Sequence, residues 1–88
     1  MKSLAELKRN IHVGTQLRCI ENTYRPELNG TLRTVVKTQG NAFVWRMEGD
    51  TRNSWTNYEK ASAYQFDGSN RFSWALGRDD HKVTLEIL

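Results

Sequence analysis

The chain reads as a mainly β domain with one short N-terminal α-helix, forming either a small barrel or a strongly bent antiparallel sheet. Three observations predict it. Short runs rich in Thr, Val, Phe and Trp recur along the chain, turn-forming residues separate them, and apolar side chains alternate within each run. The clearest stretch is residues 30–48, GTLRTVVKTQGNAFVWRME, where two such runs flank Gln39, Gly40 and Asn41. A Gly-centred connection of that length reads as a hairpin turn.

Eighty-eight residues are expected to make one domain, residues 1–88, with a single modest core. With 38% apolar and 26% charged residues, the composition excludes a disordered chain. Cys19 stands alone, and with His12 and His81 as the remaining soft ligands it makes neither a disulfide framework nor a zinc site. It reads as a small apolar core residue in a reduced compartment. The opening MKSLAELKRN lacks the apolar run of a signal peptide, and the longest apolar run, residues 42–45, is far short of a membrane span. A cytoplasmic location is the expectation. The charge is uneven: residues 1–48 carry eight Lys or Arg against four Glu, and residues 49–88 carry five against six Asp or Glu. A basic first half suits an anionic partner.

Residues 3–10 predict the helix. Ser3 and Glu6 have capping-box spacing, and Leu4, Leu7 and Ile11 share one stripe. Three apolar residues cannot hold so short a helix in water, so it must dock. Val13 and Gly14 break it. Residues 15–22 read as the first strand, 23–29 as a loop with the single proline, 30–38 and 42–48 as strands two and three. Gly49 and Asp50 turn the chain into a short strand over 51–56, and residues 57–61 read as one helical turn. Residues 63–66, 71–76 and 82–88 complete the strands, with turns at 67–70 and 77–80.

Alternation places Leu17, Cys19, Leu32, Thr34, Val36, Phe43, Trp45 and Met47 on one face, continued by Phe72, Trp74, Leu76, Val83, Leu85 and Ile87. That face is the expected core. The other collects Arg18, Ile20, Arg33, Val35, Lys37, Val44 and Arg46. Ile20, Val35 and Val44 there call for a cover, so the helix is expected over them with the basic side chains as a rim.

No phosphate-cradling Gly-rich loop, His-Glu-x-x-His, paired-Cys spacing or nucleophile elbow is present, so neither an enzyme nor a cofactor or metal protein is expected. Asp79, Asp80 and His81 are consecutive and point different ways, which suits a solvated turn better than a ligand set. Binding signals are stronger. Arg18, Arg33, Lys37 and Arg46 on one face can neutralise phosphates, with Trp55 and Tyr58 beside turns as base-stacking side chains. Trp45 and Trp74 read as core plugs ahead of platforms. A nucleic-acid-binding module is the first reading. The alternative is a protein partner held by Tyr24, Arg25, Trp55 and Tyr58, the side-chain types that anchor interfaces.

The segment GTQLRCIENTYRPELNGTLRTVVK, a strand, a Pro-bearing loop, a Gly and a Val-Val strand, resembles the opening of Src-homology-3-like small barrels. SWTNYEKASAYQFDG is similar to a segment of short proteins of actinobacterial phages and mobile elements. The first resemblance implies a small barrel. The second implies an accessory protein of a bacterial cytoplasm that acts by binding, for instance by inhibiting a host protein, with no catalytic residues to carry over.

Overall fold

The computed structural model describes residues 1–58, 64–75 and 81–88. Within them the order is α1 (Leu4–Asn10), β1 (Gln16–Asn22), a 3₁₀ turn (Pro26–Leu28), β2 (Leu32–Thr38), β3 (Ala42–Met47), β4 (Ser54–Asn57), β5 (Tyr64–Phe66), β6 (Arg71–Ala75) and β7 (Lys82–Ile87). The expected helical turn over 57–61 and turn over 77–80 fall largely or wholly outside the described residues, as do Leu76, Asp79 and Asp80.

One antiparallel sheet holds all seven strands in the order β4-β3-β2-β1-β7-β6-β5. It curls into a half-barrel, the bent-sheet form of the expectation. β4 and β5 stand at the two ends of the order, and the Tyr64 hydroxyl donates to the Asn57 carbonyl at 2.8 Å where those ends approach. Curling puts the apolar alternation on a concave inner face. Its core is Leu7, Ile11, Leu17, Cys19, Val35, Phe43, Tyr58, Tyr64, Phe72, Val83 and Leu85. Aromatic rings knit it together: Phe43 and Tyr58 are 5.6 Å apart, Phe72 and Trp74 5.8 Å, and Tyr64 and Trp74 5.9 Å.

The helix begins where its sequence says. Ser3 Oγ accepts from the Glu6 amide at 3.2 Å, while the Glu6 carboxylate takes the Lys2 amide, one residue before the position a full capping box would use. Leu7 and Ile11 bury completely, and Leu4 packs at their side. They dock into the concave face, and here the expectation is corrected: the helix plugs the core side of the sheet. Lys8 lays its ammonium 5.1 Å from the Tyr58 ring centroid. The chain start is pinned as well, with the terminal amine on the Ser69 carbonyl and the Gly68 amide on the Met1 carbonyl.

The same correction explains β2. Its register pairs Leu17 with Arg33 and Val35 with Trp45, so Arg33 and Val35 face inward and Leu32, Thr34 and Val36 face outward. The expected face assignment of this strand is inverted from Leu32 to Val36. LRTVVKT has apolar residues at both parities, so alternation alone does not fix its direction, and a one-residue slip flips every side chain. A bulge between Val35 and Lys37 then shifts the pairing so that Lys37 stands opposite Val44.

Candidate functional site

The helix fills only part of the concavity. Beside it lies a groove of about 330 Å³, and six side chains define its character: Tyr24, Arg25, Arg33, Trp45, Trp55 and Trp74. Tyr24 and Arg25 reach it from one loop, and the other four each from a different strand. Asn22, buried at the end of β1, folds the following loop back on itself: its Oδ1 accepts from the Tyr24 amide at 3.0 Å and the Arg25 amide at 2.8 Å. Asn29 Oδ1 takes the Asn22 amide at 2.7 Å, tying the far end of the loop to the strand. Gly30 then turns the chain into β2 with φ of 87°, a left-handed conformation that glycine adopts without steric cost. Tyr24 meets His81 edge-on at 5.2 Å, which steadies its exposed ring.

Strands supply the walls. Trp45 of β3 is half-buried and donates its indole N–H to Thr56 Oγ1 at 3.0 Å. Trp74 of β6 is half-buried opposite it, stacked on Phe72. Both are therefore core residues and groove walls at once. Trp55 of β4 stands opposite Val44, on the outer-face side of this edge strand, and borders the groove along that edge; it is 61% exposed and Tyr24 is 63% exposed, so the rim is open to solvent.

Arg33 forms the floor. It is 4% exposed, and its guanidinium carbon lies 4.1 Å from the Trp45 ring centroid. Among the described residues no carboxylate pairs with it, and its Nε has no hydrogen-bond partner. Burial pulls its pKa below the ordinary arginine value, with the neighbouring Cys19 thiol working the other way; burial likewise pushes the Cys19 thiol up, with Arg33 opposing. A guanidinium nonetheless stays protonated at neutral pH, so the groove floor is a cation. Among the described residues no Asp or Glu lines the groove.

The sequence-derived sets divide as follows. Arg18, Lys37 and Arg46 share the outer face, but Arg33 does not join them, so the expected row of four phosphate-contacting cations is three. The cations of that face also have local company. Arg18 donates to the Gly30 carbonyl and stands opposite Glu86 on β7, while Arg46 donates twice to Asn53 Oδ1. Tyr58, expected in both binding sets, is 5% exposed in the core against Phe43; it is corrected to a packing residue. Tyr24, Arg25 and Trp55 do come together, at the groove rim. Sequence reading missed Arg33 as a floor and Asn22 as the organiser of the loop. The Asn22–Asn29 pair bracketing TYRPEL was the available signal, since Asn favours such turns.

Among the described residues no group of three or more His, Cys, Asp or Glu is placed to hold a metal ion, and no helix is long and apolar enough to cross a membrane. The features thus define a curled antiparallel sheet whose concavity is half plugged by a helix and half left as an aromatic, cationic groove. No protein-family model, curated protein sequence or solved structure matches the chain.

Proposed function

We propose that this protein is a non-catalytic binding module that takes single-stranded nucleic acid in the concave groove. One observation carries the reading: two arginines and four aromatic residues line a cavity to which, among the described residues, no carboxylate contributes. Unstacked bases pack on Trp and Tyr faces, and phosphates pair with guanidinium groups, so this combination suits a single strand. A duplex hides its base faces and has no use for indole walls. The outer-face cations Arg18, Lys37 and Arg46 then serve as a diffuse field that raises encounter rates.

Fluorescence-anisotropy titrations of labelled single-stranded DNA, RNA and duplex DNA at low and near-physiological salt test this. Single strands should bind in preference to duplex and quench tryptophan emission. The Arg18→Glu/Arg46→Glu variant should slow association yet keep the site, whereas Arg25→Glu/Trp55→Ala should abolish it. Absence of any single-strand binding at low salt would sink the proposal.

A second reading has its own support. Tyr24 and Trp55 are exposed large aromatics on one rim with Arg25 between loop and groove, and such side chains anchor protein interfaces. In that case the module is an accessory protein gripping a host protein, and its affinity hardly responds to salt.

A further inference from the structure

We propose that the groove is a strand-end site, in which Arg33 seats a terminal phosphate monoester while the adjoining base packs against the aromatic walls. The inference rests on the single-strand reading and narrows it to one part of the strand.

Depth is the first argument. Arg33 is 4% exposed at the floor, below a rim that carries Tyr24 and Arg25. An internal phosphodiester has chain leaving in two directions, and both branches would have to pass that rim. A monoester has one substituent and can enter phosphate first. Volume is the second. About 330 Å³ lies at the lower end of the range for sites that hold one small ligand, which fits a single terminal nucleotide and leaves no space for a run of them.

Charge and donors make the third argument. A buried guanidinium with no carboxylate partner among the described residues, its Nε lacking a hydrogen-bond partner, is costly unless a ligand completes it. A monoester carries about −1.5 to −2 charges at neutral pH and three acceptor oxygens, and a guanidinium fork matches it in paired hydrogen bonds. Trp45 holds the guanidinium carbon 4.1 Å from its ring centroid, and Arg25 at the rim, ion-paired with Glu27 at 3.1 Å, adds a second guanidinium.

The test compares one short oligothymidylate in four forms, all on the intact protein: 5′-phosphorylated, 3′-phosphorylated, hydroxyl at both ends, and covalently closed into a circle. The phosphorylated forms should bind about tenfold or more tightly than the hydroxyl-ended form, as a charge-assisted pair requires, and the circle should bind weakest. The preferred phosphorylated arm identifies the end recognised. The advantage should shrink below about pH 6, where the monoester takes up its second proton. Inorganic phosphate should compete with the phosphorylated forms. Arg33→Lys should lose most of the discrimination between phosphorylated and hydroxyl-ended strands; because the ligand series is read on the unaltered protein, the outcome does not depend on that variant folding. Equal binding of the circular, hydroxyl-ended and phosphorylated forms would overturn the end-site inference and leave single-strand binding standing. No binding of any form overturns both.

Discussion

The guanidinium of Arg33 lies 4.1 Å over the indole of Trp45, so a buried cation and an aromatic wall form one unit at the bottom of the groove. A desolvated cation–π contact is worth about 2 kcal/mol, while effective desolvation of an unpaired buried ion costs several. The balance is unfavourable for stability. Arg33→Met, which keeps an unbranched chain over the indole without the charge, should therefore raise the urea midpoint, by about 1–2 kcal/mol in unfolding free energy. Phosphate-dependent binding should disappear in the same variant. A destabilisation above about 1 kcal/mol would mean the charge has a structural partner.

Rim and wall aromatics should separate by stability. Tyr24→Ala and Trp55→Ala should change unfolding free energy by no more than about 0.5 kcal/mol, as exposed positions do. Each should weaken strand binding by about 1–3 kcal/mol, the worth of one base stack. Trp45→Ala, which empties a wall and orphans Thr56, should cost about 3 kcal/mol of stability. Denaturant melts and anisotropy titrations on the same samples make the comparison.

Asn22→Ala should uncouple the binding loop. Two backbone amides lose their acceptor, at about 1–2 kcal/mol, and Tyr24 and Arg25 lose their fixed places at the rim. The expected signature is weaker strand binding accompanied by faster amide exchange at Tyr24 and Arg25, with the core amides unchanged.

Tyr58 and Tyr64 should report the alkaline limit of the fold. Burial pushes both phenols up from 10.0 to about 12. A raised folded-state value means their contribution is fully present below pH 10 and is lost as the pH climbs towards 12. Phenolate absorbance and circular dichroism followed together should show these two rings ionising in step with unfolding in that window. Ionisation of all three tyrosines near pH 10 in a folded protein would contradict their burial.

Salt should distinguish the groove from a broad basic face. Two phosphates neutralised on a single strand predict a slope of about −1.4 in log K against log salt; the three cations of the outer face would give about −2.1. The slope measured from titrations across salt concentrations decides between them.

Most of this architecture was legible because hairpins and turns are local. The 39–41 turn, the 49–50 turn and the strand runs around them carry their own chemistry, and β2 and β3 begin and end close to where alternation places them. What alternation could not supply was the direction of β2, because Leu32 and Val36 compete with Val35 for the inside and a charge at Arg33 argues for the outside. Tertiary context reversed that choice: pairing with Leu17 and Trp45 carries Arg33 inward. The helix followed the same error, since its expected seat was read from the wrong face of β2. The groove was legible only in pieces. Tyr24, Arg25 and Trp55 were marked as aromatics and cations near turns, whereas the approach of Trp74 from far along the chain depends on the curl of the whole sheet.

The sheet order places β1 between β2 and β7, so the first strand is laddered on one side by the second and on the other by the last. A ribosome delivers those partners at very different times. The β2–β3–β4 meander can zip early through local contacts, but the other edge of β1 waits, unpaired, until β7 has emerged. High contact order of this kind slows folding and leaves a sticky edge exposed during synthesis. It also makes the groove a late product of assembly. Trp74 and Val83 reach it only once β6 and β7 have docked, so a partly folded chain carries Arg33 without these two walls.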